Sequence, residues 1–165
     1  MHAPPDRLFE ADEILITLDE YGVDFVVIGG VAVQTHGYLR GTNDLDIVAR
    51  PTALNFSRVS EALLDLRAEL RAPGTMKLTD PHQLRRAPLI PLMTRSGPLD
   101  ILGIEHVTGG PHDYDALWDS ALTVELRGRP VAVAGLSDLI RMKRAAGRDQ
   151  DLMDIEALTA GPEST

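Results

Sequence analysis

The chain contains no cysteine, which excludes a disulfide framework and any thiolate-held zinc site. Aromatic residues are scarce, at 4%, so no row of rings offers a stacking platform for single-stranded nucleic acid. Positive charge is also in deficit. The 16 Lys and Arg face 25 Asp and Glu, a formal net charge of -9. That balance argues against a surface that grips nucleic acid through its phosphates, and no DNA partner is expected. It does suit a protein that gathers cations. Long hydrophobic runs are missing too: Phe25 to Val33, the longest, is about half of what a membrane-crossing helix needs. Met1 to Arg7 shows neither the basic start nor the apolar run of a signal peptide. These absences lead to the expectation of a cytoplasmic protein with no membrane partner.

What is present is an ordinary globular composition, 44% apolar and 25% charged over 165 residues. Leu8, Ala11, Leu15, Leu18 and Tyr21 recur at helical spacing and predict a helix from about Asp6 to Tyr21. Asp24 to Ile28 is β-branched and aromatic, as a buried strand is. Gly29-Gly30 closes it, and Val31 to Tyr38 reads as a short helix. Leu45 to Ala49 is a second strand. Thr52 is placed to cap a long helix whose apolar face carries Phe56, Val59, Leu63, Leu66 and Leu70. Pro73 to Pro88 reads as loop with at most a short strand. Leu89 to Thr94 and Leu99 to Leu102 form a strand pair turning at Ser96-Gly97. Asp113 to Ser120 is a helix, and Leu122 to Leu126 pairs with Val131 to Val133. Two helices follow, about Ser137 to Ala146 and about Asp149 to Thr159. The order predicts an α+β (mixed α/β) single domain, a mixed sheet covered by helices. Its sheet-containing core covers about 6–135 and its C-terminal helix pair about 136–160.

The chemistry is concentrated in Gly29-Gly30, thirteen intervening residues, then Asp44-Leu45-Asp46. Side chains alternate faces along a strand, so Asp44 and Asp46 point the same way, about 7 Å apart along the backbone. Asp100 is a lone acid in the apolar strand Pro98 to Leu102. If that strand neighbours Asp46, three carboxylates converge. Like charges about 4 Å apart repel by ~4 kcal/mol at an effective dielectric of about 20, so such a cluster asks for a cation. Magnesium takes oxygen ligands and suits carboxylates combined with a substrate phosphate. The alternative for Asp100 is an edge-strand acid facing water. Glycines after a strand let backbone N–H groups approach a phosphate, although a tight turn alone also explains them.

The run from Gly29 to Asp46, with its double Gly, Ala32, His36-Gly37, Arg40, Thr42 and Asp-Leu-Asp, resembles the signature of the DNA polymerase beta-like nucleotidyltransferase superfamily. It is most similar to the branch of AbiE-type and toxin–antitoxin nucleotidyltransferases. Asp138 to Ile155 resembles the second block of that branch, a Lys-bearing helix followed by Arg, Asp and Asp-Ile. The resemblance implies a nucleotidyltransferase-like fold and transfer of a nucleoside monophosphate from NTP, ATP among them, to a hydroxyl acceptor. The acceptor is a tRNA end, a protein or a small molecule. It implies Asp44, Asp46 and Asp100 as catalytic metal ligands for two Mg2+ ions, with Mn2+ as the substitute. Gly29, Gly30, Arg40, Thr42 and Lys143 are then nucleotide-binding residues, and Asp154 orders the site. A cognate toxin or antitoxin is the implied partner. Gly30 departs from the many members that carry Ser after the first Gly. The alternative reading is a non-catalytic binding module of the same fold: an antitoxin, a pseudoenzyme or a nucleotide sensor.

Blander roles remain open for several residues. His36 is expected to pack or cap rather than ligate. Arg40 and Thr42 order the loop before Asp44, or Arg40 faces the triphosphate. Arg141, Lys143 and Arg144 also fit the solvated face of a helix. Asp151 and Asp154 share a helical face and are placed to pair with Arg148 or Lys143.

Overall fold

The computed structural model describes residues 9–38 and 41–160. The elements, in chain order, are α1 (Ala11–Glu20), β1 (Phe25–Ile28), α2 (Gly29–Thr35), β2 (Leu45–Ala49), α3 (Ala53–Asp65), β3 (Glu69–Leu70), α4 (Pro81–Arg86), β4 (Leu89–Thr94), β5 (Gly97–Leu102), α5 (Tyr114–Asp119), β6 (Leu122–Leu126), β7 (Arg129–Val133), α6 (Leu136–Ala146) and α7 (Asp149–Ala160). The seven strands make one mixed sheet in the order β3-β4-β5-β2-β1-β7-β6. Pairs β1–β7 and β2–β5 are parallel and the others antiparallel. The fold is thus mixed α+β, as the order of elements predicts.

Alternation along the central strands decides which face is dry. Leu45 and Ile47 of β2 align with Leu99 and Ile101 of β5, and these four and Ala49 are buried. Phe56 of α3 and Leu84 of α4 pack close to Ala49, Ile90 and Ile101 on that face. Helix α1 packs against both α3 and β7. On the other face, Val26 and Val48 are fully buried, whereas Asp46 and Asp100, one step further along, are half-buried. The apolar cover of that face therefore stops at the row holding the two acids.

Several boundaries differ from the sequence reading. Helix α1 begins at Ala11 rather than near Asp6, because the Glu10 N–H donates to the Ser96 carbonyl at 2.7 Å, in the turn before β5. Positions 6–8 of the expected helix lie outside the described residues. Helix α2 starts at Gly29 and ends at Thr35, so the two glycines are its first turn and not a loop ahead of it. Helix α3 ends at Asp65, with Arg67 at φ 52 just beyond, and Leu70 joins the short strand β3. The stretch read as loop contains α4. Asp80 caps it through bonds to the N–H groups of His82 and Gln83, and Pro81 occupies its first turn. Both C-terminal helices form, and Gly147 ends α6 with φ 65.

Candidate functional site

Asp44 immediately precedes β2 and Asp46 lies within it. The parallel register sets Asp46 directly beside Asp100 of β5. Carboxylate oxygens of Asp44, Asp46 and Asp100 all lie within 4.8 Å of one another. Strand β5 runs between β4 and β2, so Asp100 is not the edge acid of the alternative reading. Its side chain is only 16% exposed, and the Arg71 guanidinium donates to it at 2.7 Å.

The cluster is electrostatically strained without a cation. Burial, then the charges of Asp44 and Asp100, push the Asp46 carboxyl up from its ordinary range to about 7; Lys143 pulls the other way. A site that raises a carboxyl this far is one a divalent cation would relieve. The donor set is all hard oxygen, which fits magnesium or manganese.

Gly29 is what allows Asp46 to sit where it does. Its φ is +72, and a Cβ there would collide with the Asp46 carboxylate. Helix α2 therefore starts against the acid cluster, with the buried Gly30 next in its first turn. Thr42 donates to the Asp44 carbonyl at 3.3 Å, which orders the entry to β2. Arg40 lies outside the described residues. His36 bonds the Ala134 carbonyl through Nε2 at 2.9 Å, a packing role that ties α2 to the end of β7.

Lys143 is not on a solvated helix face. It is 7% exposed, and its Nζ lies 3.3 Å from Asp151 and 3.2 Å from Asp154. Asp154 is fully buried and also accepts from Gln150 at 2.8 Å. Burial alone would raise Asp151, but hydrogen bonds from Arg148 and the charge of Lys143 hold it below its ordinary range. Arg141 is engaged as well, paired with the buried Asp138, while Arg144 is exposed. The α6–α7 pair thus carries a buried polar network next to the acids, close enough for Lys143 to act on Asp46.

Sequence reading missed Arg71. It follows a two-residue strand, and only the pairing of β4 with β5 reveals that it reaches Asp100. No local pattern announces it. Gln150 was likewise passed over, although its place four residues before Asp154 on one helix was a usable signal.

No family model matches the chain, and no curated protein matches it. Solved structures do. A lincosamide antibiotic adenylyltransferase, LnuA, aligns with a TM-score of 0.62 at 18% identity, over 92% of this chain and 96% of its own. The antibiotic-resistance factor ANT(2'')-Ia aligns with a TM-score of 0.60 at 12% identity, over 91% and 80%. An antigenic nucleotidyltransferase-like protein from Paracoccidioides brasiliensis aligns with a TM-score of 0.58 at 18% identity, over 94% and 76%. The chain therefore shares the fold of these nucleotidyltransferases.

Proposed function

We propose that the protein is a metal-dependent nucleotidyltransferase that moves a nucleoside monophosphate from NTP to a hydroxyl acceptor. The carrying observation is the convergence of Asp44, Asp46 and Asp100 beside the N-terminal turn of α2. Structural neighbours that are adenylyltransferases support the reading. In it, Asp44, Asp46 and Asp100 hold Mg2+, which when bound offsets triphosphate charge and makes the acceptor hydroxyl more acidic. In the same reading Asp100, on the strand paired with β4, orients that hydroxyl and takes its proton, the role that the resemblance implies. The N–H groups of Gly29 and Gly30 face the phosphates from the start of α2. Lys143, close enough to act on Asp46, adds positive charge, and Asp154 fixes its ammonium group. Thr42 shapes the approach to Asp44.

The likeness of the Gly29–Asp46 and Asp138–Ile155 runs to toxin–antitoxin nucleotidyltransferases supports a toxin–antitoxin component as the finer reading. The complete set Gly29, Gly30, Asp44, Asp46 and Asp100 in one chain weighs against a pseudoenzyme, antitoxin or sensor that only binds. Among the described residues no helix is long and apolar enough to cross a membrane.

The test is thermal unfolding with Mg–NTP, with NTP plus chelator, and with Asp46→Asn or Asp100→Asn. Stabilisation is expected only with the metal. Each variant should stay folded and lose transfer by at least a hundredfold, or ~2.7 kcal/mol. Wild-type turnover in either variant would remove that acid from the site.

A further inference from the structure

Beside the carboxylates, at the β3–β4 side of the sheet, lies a cleft of about 640 Å3. Its walls are Leu70 to Met76, apart from Arg71, on one side and Arg86 to Leu89 with Pro91 on the other, together with Gln83. Pro91 stands directly opposite Asp100 in the antiparallel β4–β5 register. Opposed side chains of such a pair share a face, with Cβ atoms about 5 Å apart. Arg71 spans the remaining gap: its N–H donates to the Pro91 carbonyl, one guanidinium nitrogen donates to the Leu92 carbonyl at 2.8 Å and another to Asp100 at 2.7 Å. The cleft and the acid cluster are thus joined by one row across the sheet.

We infer that this cleft seats the acceptor, and that the acceptor is a small hydroxyl compound with an apolar body and a neutral or anionic character. The inference rests on the nucleotidyltransferase reading above. Three features carry it. The volume lies within the roughly 300–1,000 Å3 typical of small-molecule pockets. The lining is dominated by Leu, Pro, Ala and Met, so an apolar body is what it desolvates well. Its single charged residue is Arg86, and none of its lining residues is a carboxylate, in a chain of net charge -9. A polycation would find no partner among the lining residues, whereas an anionic group would meet Arg86. A hydroxyl emerging past Pro91 arrives at Asp100, which takes its proton as the oxygen bonds to the α-phosphorus of NTP and pyrophosphate leaves.

The test uses Leu89→Glu and Arg86→Glu, both at exposed positions where folding should survive. Anilinonaphthalene sulfonate, an apolar body with one anionic group, serves as the binding probe on the folded protein. One molecule is expected to bind, at least tenfold more weakly in each variant, with the thermal shift by Mg–NTP unchanged. In parallel, labelled NTP is incubated with the protein and a cell extract. Label should enter a neutral or anionic small molecule, with at least a tenfold loss in the variants. Equal probe binding in wild type and variants overturns the cleft assignment, and so does undiminished transfer. Label found on RNA, protein or a polycation overturns the acceptor class while leaving the nucleotidyltransferase reading intact. No transfer by wild type, with probe binding confined to the cleft, overturns that reading instead, and the acceptor role with it.

Discussion

At the scale of single residues, two side chains that look alike in sequence part company in the structure. Lys143 and Arg144 are adjacent on α6, yet one is buried between Asp151 and Asp154 and the other is exposed. Removing Lys143 takes an ammonium partner from two carboxylates that are 1% and 0% exposed, leaving Asp151 to Arg148 and Asp154 with the bond from Gln150. Breaking a buried pair from one side costs about 3–5 kcal/mol, because the remaining charge stays desolvated. Lys143→Met should therefore unfold in urea with a loss of that size, and Arg144→Ala should shift stability by no more than about 0.5 kcal/mol. Adding Asp154→Asn to Lys143→Met should recover part of the loss. If the two single variants behave alike, the buried network is not holding α6 to α7. Gly29 makes a second residue-level case. A Cβ there meets the Asp46 carboxylate and the backbone stays at φ +72. Gly29→Ala is expected to cost about 1–3 kcal/mol of strain. It should also weaken Mn2+ binding at least tenfold, or ~1.4 kcal/mol, in a calorimetric titration. Unchanged metal affinity would mean that Asp46 can occupy the cluster without the close approach of α2.

Among the elements, what was legible depended on whether the signal was local. The strand at 25–28, the strand at 45–49 and the helix capped by Thr52 follow from short-range patterns, and the Thr52 side chain does accept from the Asn55 N–H at 3.1 Å. Asp44 and Asp46 announced themselves because charges are rare in such a strand. Helix α4 was hidden because its six residues are too few for a periodic apolar face, and only Leu84 among them is fully buried. Its signal was the cap itself, Asp80 followed by Pro81. Asp80→Ala should cost about 1 kcal/mol, as loss of an N-cap does, measurable as a lower urea midpoint at constant slope. No change would show that α4 is held by Leu84 and the α3 contact alone. Arg71 was beyond reach for a different reason: its partner is 29 positions away and depends on the register of β4 against β5. The same holds for the cleft walls, which come from α4 itself and from the segments on either side of it.

For the molecule as a whole, the acid cluster makes folding and metal binding answer to pH together. In the metal-free protein Asp46 titrates near 7, raised by burial and by Asp44 and Asp100, whereas in the unfolded chain it titrates in the ordinary carboxylate range of about 4. Between those values the folded protein holds a proton that the unfolded chain has given up. Stability attributable to Asp46 is therefore complete below pH of about 4 and is lost as pH rises through about 7. Asp151, held low by Arg148 and Lys143 against its burial, works in the opposite sense, but its window lies below the ordinary carboxylate range. The two effects separate on the pH axis. Urea unfolding of metal-free protein should show stability falling from about pH 4 to about pH 7. Asp46→Asn should abolish that slope and be more stable than wild type at the upper end, since it keeps the shape without the charge. A divalent cation selects the ionised carboxyl, so Mn2+ should bind more tightly as pH rises toward 7 and should release a proton on binding. Calorimetry in two buffers of different ionisation enthalpy reads that proton directly, and saturating Mn2+ should flatten the stability profile. A metal-free profile already flat from about pH 4 to about pH 7, or metal uptake without proton release near pH of about 6, would show that the three carboxylates are not strained against one another in solution.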